Sequence, residues 1–123
     1  MVTVKRERFI VFKIFSNQAE SIPLSHIRYS LWNKFQTLYG LENTAKSGMY
    51  FVEYNENFNL GLIRCDHKAL ENILTSMSLI SKISNVHVIV VPLFISGLLN
   101  KAKKHYGSLI PNSKDRAIPQ PLQ

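Results

Sequence analysis

Cys65, Asp66 and His67 stand in a row, three metal-ligating side chains in succession. Consecutive residues at the end of a strand project apart, whereas metal sites draw on spaced ligands, so no metal site is assigned here. Cys65 is the only cysteine; it reads as a small buried hydrophobe and excludes an intramolecular disulfide. His26, His87 and His105 are scattered, and Glu7, Glu20, Glu42, Glu53, Glu56, Glu71 and Asp115 show no metal spacing. A nuclease acting alone needs clustered carboxylates for metal ions or paired histidines for acid–base work. There is no Gly-rich phosphate loop and no Gly-x-Ser-x-Gly elbow. No catalytic residue, metal or other cofactor is therefore assigned to this chain. Arg64 has two readings, a surface arginine at the edge of a sheet or a contact to RNA or phosphate. A small phosphate-handling enzyme built around it is the least favoured function, because no cluster of loop donors accompanies it.

Charge is more telling. The chain has 123 residues and a net charge of +7, which favours anionic partners. Residues 1–16 carry +3 through Lys5, Arg6, Arg8 and Lys13 against Glu7, and residues 96–123 carry +4 through Lys101, Lys103, Lys104, Lys114 and Arg116 against Asp115. The stretch between them has six basic and six acidic residues and is neutral. Charge gathered at two ends is the footprint expected of phosphate contacts. Lys101, Lys104 and His105 fall at i, i+3 and i+4, one face of a helix, and Lys103 widens that surface. Lys5, Arg6, Arg8, Lys101, Lys103 and Lys104 are accordingly the RNA-binding candidates.

These side chains need a scaffold. Val4 to Ser16 reads as a strand, Pro23 to Tyr39 as a helix with Ile27, Leu31, Phe35 and Leu38 as its stripe and Gly40 as its cap. Ala45–Tyr54 and Phe58–Cys65 read as a hairpin turning at Asn55-Glu56-Asn57. Gly61 inside a strand predicts a bulge or the close approach of another backbone. Asp66 caps a second helix to about Ser78. Ile80 and Ile83 lie on a crossover to a strand from Val86 to Ile95, where Pro92 demands an edge or a bulge. Leu98–Tyr106 is a short third helix. The order is α+β, a ferredoxin-like split βαβ sandwich (β-α-β-β-α-β) with an extra C-terminal helix. One domain spans residues 1–106, and 107–123, with Pro111, Pro119 and Pro121, reads as a flexible tail.

The first strand is apolar on both faces: Ile10, Phe12 and Ile14 on one, Phe9, Val11 and Phe15 on the other. The third helix can cover part of the second face. A face left partly open would meet a partner, so Phe9, Val11 and Phe15 are the expected interface for another protein or for self-association. Lys13 interrupts the early apolar run and no small-residue cleavage site follows, so a secretory signal is not expected. The longest apolar stretch, Val86–Leu99, is too short to span a bilayer. The expectation is a cytoplasmic protein with no membrane partner.

The segment Val4-Lys5-Arg6-Glu7-Arg8-Phe9-Ile10-Val11-Phe12-Lys13-Ile14 resembles the start of the archaeal and eukaryal ribonuclease P protein component 2 family, the Pop five type. Phe9 stands where that family usually has Tyr. Val52-Glu53-Tyr54-Asn55 followed by Gly61-Leu62-Ile63-Arg64-Cys65 is similar to its central hairpin, and Met77–Ile83 to its second-helix exit. Ile95-Ser96-Gly97 followed by Lys101 resembles its close, with Leu98 and Leu99 replacing Thr-Ile and Asn100 at a usually basic position. The likeness spans residues 4–106. It implies a non-catalytic, RNA-binding subunit of an endonuclease that removes the 5′ leader from precursor tRNA in tRNA processing. Catalysis would lie in the ribonuclease P RNA and its magnesium. The implied partners are that RNA, ribonuclease P protein component 3, the other ribonuclease P proteins and, indirectly, precursor tRNA. A protein–protein interaction module of the same fold is the alternative. Salt-dependent binding to structured RNA separates the two.

Overall fold

The computed structural model describes residues 6–17 and 21–110. At its centre is β1, Glu7–Ser16, which pairs antiparallel with two other strands, β3 (Leu60–Asp66) and β5 (Val86–Ser96). The hairpin strand β2 (Tyr50–Asn55) lies outside β3, and a two-residue strand β4 (Lys82–Ile83) lies beside the start of β5. The sheet order is β2-β3-β1-β5-β4. Without β4 this is the split βαβ arrangement that the order of elements predicts.

Helices α1 (Leu24–Lys46) and α2 (Leu70–Leu79) cover one face. Ile27, Leu31 and Phe35 of α1 and Ile73 and Met77 of α2 pack on Ile10, Phe12, Ile14, Ile63, Val88 and Val90. Helix α3 (Leu99–Leu109) covers the other, where Ala102 and Tyr106 close over Phe9, Val11, Leu60 and Leu62. The two-sided apolar pattern of β1 thus reflects two cores on either side of one strand. Among the described residues, no helix is long and apolar enough to cross a membrane.

Several boundaries depart from expectation for local reasons. Gly40, at φ 88°, breaks α1 as predicted, but helix resumes beyond it to Lys46. Thr44 Oγ1 donates to the Gly40 carbonyl (2.7 Å) and Asn43 Nδ2 to that of Tyr39 (2.8 Å), so the carbonyls freed at the kink are satisfied. The expected strand from Ala45 therefore starts only at Tyr50, after Gly48 turns the chain at φ 65°. Asp66 caps as predicted, accepting from the Lys68 N–H at 3.2 Å, although the first turn, His67–Ala69, is a 3₁₀ turn. The crossover at Ile80–Ile83 contains the short strand β4, joined to β5 through Ser84 and Asn85, both at positive φ, as a tight two-residue hairpin requires.

Near Pro92, Val11 pairs with Phe94 and Phe12 with Pro92, which leaves Leu93 as the extra residue of a β-bulge. Proline has no N–H to give the ladder, and the bulge accommodates it. Helix α3 runs through Leu109, three residues into the segment expected to be tail. The rest of that segment, 111–123, lies outside the described residues, as does Lys5.

Candidate nucleic-acid interface

The start of β1, the end of β3, the end of α1 and the 3₁₀ turn meet at one end of the sheet and enclose a cleft of about 660 Å³. Arg6, Lys46, Arg64 and Lys68 supply its positive charge and Glu7 and Asp66 its negative charge. The backbone frame is set by pairing of Glu7 with Asp66 and by two hydrogen bonds. The Asp66 N–H donates to the Ser47 carbonyl at 2.8 Å, and the His67 N–H to the Arg6 carbonyl at 2.9 Å. Gly48 lets the turn close, since a Cβ there would lie 3.3 Å from the Asp66 nitrogen.

The acids in the cleft are already engaged. Arg64 Nη1 meets Glu7 Oε2 at 2.9 Å. Asp66 is held below the usual carboxylate range, first by the Lys68 N–H and also by neighbouring His67, whose Nδ1 is 3.0 Å away. Lys46 pairs with Glu42 at 2.9 Å on the helix surface. Among the described residues, the side chains of Arg6 and Lys68 make no ion pair. Positive charge is thus in excess in a concave site at the sheet end.

The other charged end of the chain arrives at the same place. Phe9 pairs with Ser96 and Ile10 with Ile95, so the start of β1 lies beside the end of β5. Arg8 Nη1 donates to the Glu7 carbonyl at 2.9 Å and would touch a Cβ on Gly97 at 3.1 Å. Helix α3 starts two residues later, with exposed Lys101, Lys103 and Lys104 in its first half. Lys101 and Lys104 flank a hollow of about 340 Å³ over Phe94, on whose ring His105 stacks with centroids 4.4 Å apart and planes 6° from parallel. Lys103 is roughly 200° around the helix from Lys101, so the three lysines bracket α3 instead of forming one row.

Among the sequence-derived candidates, Arg6, Arg8 and Arg64 come together at one end of the sheet, and Lys101, Lys103 and Lys104 border it. The proposed protein-facing trio separates. Phe9 and Val11 are 5% and 0% exposed, roofed by α3, and belong to the interior, so neither is available to a partner. Phe15 is 48% exposed, beside Ile89 on β5, with Lys13 Nζ 5.5 Å from its ring centroid. Lys46 and Lys68 were not singled out from the sequence: they sit in the neutral middle of the chain, and only the fold brings them to Arg6. Tyr50 is 60% exposed with the Arg64 guanidinium carbon 5.7 Å from its ring centroid. Cys65 is buried, and burial pushes its thiol up to about 11.

The family model described as Rpp14/Pop5 matches residues 8–107. Curated relatives include ribonuclease P protein component 2 of Pyrococcus furiosus, 28% identical over 82% of this chain and 82% of that protein. That of Archaeoglobus fulgidus is 28% identical over 82% of this chain and 88% of that protein. A chain from the cryo-EM structure of yeast ribonuclease MRP shares the fold, with a TM-score of 0.64 at 16% identity, covering 89% of this chain and 92% of that one.

Proposed function

The chain belongs to the Rpp14/Pop5 family, and on that footing we propose that it is a non-catalytic, RNA-binding protein subunit of ribonuclease P. It serves tRNA processing by supporting an RNA whose own bound magnesium removes the 5′ leader from precursor tRNA. The observation that carries this reading is the pairing of β1 with β5, which puts Arg6 and Arg8 beside the start of the lysine-bearing helix α3. Charge remote in sequence thereby becomes one basic end of the molecule, with Arg64, Lys46 and Lys68 in the cleft on the β3 side of β1. Phosphate contacts of this kind position a protein on RNA and are sequence-independent. The partners that follow are the ribonuclease P RNA, ribonuclease P protein component 3 and the other proteins of the enzyme, with precursor tRNA met indirectly and the site of action cytoplasmic. Exposed Phe15 and Ile89, cross-strand neighbours at the other end of the sheet, are the part of the apolar surplus that remains for protein contact.

The test is titration of the purified protein with ribonuclease P RNA at several salt concentrations. Six phosphate contacts would give a log–log salt slope of roughly −4 to −5. A Lys101/Lys103/Lys104→Ala variant and an Arg6/Arg8/Arg64→Ala variant should each flatten the slope by roughly 2 to 3 while remaining folded. Wild-type affinity and slope in both would leave protein–protein scaffolding as the better reading. Cleavage of precursor tRNA by RNA-free protein, surviving repurification, would contradict the non-catalytic assignment.

A further inference from the structure

The geometry points to a stacking site for one unpaired nucleotide of an RNA strand, with Tyr50 and Arg64 as its platform and Arg6 and Lys68 as its phosphate contacts. This rests on the RNA-binding reading above and specifies what one end of that surface takes. Tyr50 opens β2 and is the register partner of Arg64 on β3, so both side chains leave the same face of the sheet. The ring is 60% exposed. A lone exposed aromatic needs no explanation. This one is tied to a site: the same guanidinium that sits 5.7 Å from its centroid lines the cationic cleft. Glu7, at 2.9 Å, holds that guanidinium in place. Aromatic rings and guanidinium planes are the side-chain surfaces on which splayed bases stack.

The adjoining cleft supplies the charge for the phosphate of that nucleotide. Arg64 joins the Tyr50 ring, which stands outside the lining, to a cleft whose volume of about 660 Å³ lies within the range of small-molecule sites, roughly 300–1,000 Å³, and suits a single nucleotide unit. Glu7 is committed to Arg64, and Asp66 to the Lys68 N–H and His67, so the charges left for a phosphate are those of Arg6 and Lys68. A base-paired strand keeps its bases inside the helix and has none to lay on Tyr50.

The experiment uses the full chain and three probes: a single-stranded oligoadenylate carrying one 2-aminopurine, a blunt RNA duplex with the same number of phosphates, and free AMP. The wild type should prefer the single strand and quench the 2-aminopurine. Tyr50→Ala should lower single-strand affinity by about 5- to 100-fold, abolish the quench and leave duplex affinity unchanged, while Tyr50→Phe keeps both affinity and quench. Arg6→Ala/Lys68→Ala should weaken the single strand without abolishing the quench at saturation. Unchanged single-strand affinity and quench in Tyr50→Ala, with weakening in the charge variant, would overturn the stacking site and leave RNA binding standing. AMP binding as tightly as the strand would overturn the assignment to an RNA strand. No binding of the wild type to either RNA would remove the stacking site together with the reading beneath it. Circular dichroism of each variant confirms that it is folded.

Discussion

The Phe12 ring lies directly over Gly61. A Cβ at that glycine would be 2.4 Å from Phe12 Cζ and 2.6 Å from Cε1. The two residues are cross-strand partners, and Tyr54, the partner of Gly61 on the other side, stacks on Phe12 with centroids 6.4 Å apart. The expected bulge lies one step away, with Val52 as the extra residue of β2, and what approaches Gly61 itself is an aromatic ring and not another backbone. Phe12 is fully buried and cannot swing aside. Gly61→Ala should cost about 1–3 kcal/mol through overpacking, read as a lower urea midpoint, and a second change, Phe12→Leu, should return part of the loss.

Helix α3 is held by Tyr106, which is 5% exposed and packs with Phe9, Val11, Leu60 and Leu62. Truncating a buried aromatic leaves a cavity, and Tyr106→Ala should destabilise the fold by about 3–5 kcal/mol. The same variant should bind the hydrophobic dye ANS, because loosening α3 uncovers the second core. Loss of stability without dye binding would mean that α3 stays docked through Ala102 alone.

Alkaline conditions should weaken the fold through two buried groups. Burial raises the Cys65 thiol from 9.0 to about 11 and the Tyr106 hydroxyl from 10.0 to about 12. The folded state retains the proton longer than the unfolded chain, so stability falls as pH rises, from 9 towards 11 for Cys65 and from 10 towards 12 for Tyr106. Urea midpoints measured from pH 8 upward should decline, and Cys65→Ala should flatten the first part of that decline. At pH 8 the native thiol should resist alkylation until denaturant is added.

Acid acts through Asp66 in the opposite direction. Its carboxylate is stabilised by the Lys68 N–H, so its contribution is complete above the ordinary value of 3.8 and disappears as pH falls below it. Asp66→Ala should cost about 1 kcal/mol at neutral pH, the usual price of a lost helix cap, and its stability should depend less on pH in the acid range than that of the wild type.

The sequence disclosed those features that local chemistry decides. The stripe Ile27, Leu31, Phe35 and Leu38 predicted the buried side of α1; the first three are interior, whereas Leu38, next to the kink at Gly40, is 42% exposed. Asp66 announced a cap and Pro92 an irregularity, because a side-chain acceptor and a missing N–H act over a few residues. The cleft was not legible in the same way. Lys46 and Lys68 reach Arg6 only through the turn at Gly48 and the pairing of Glu7 with Asp66, contacts between residues distant along the chain. Tyr50 and Phe51 are adjacent and similar in composition, yet one is exposed and the other half-buried. Strand alternation demands such a difference, but the side each takes is fixed by the sheet.

The extra residue at Leu93 changes the parity of β5. Ahead of it, even-numbered Val88 and Val90 point into the core beneath α1 and α2; after it, even-numbered Phe94 belongs to the core beneath α3. One strand therefore furnishes both interiors without leaving the sheet. Deleting Leu93 would let Phe94 follow Pro92 directly in plain alternation, still opposite Val11 and beneath His105, and would remove only the bulge that accommodates the proline. The even-numbered side chains of β5 thus serve two interiors in turn, and the ring on which His105 lies belongs to the second.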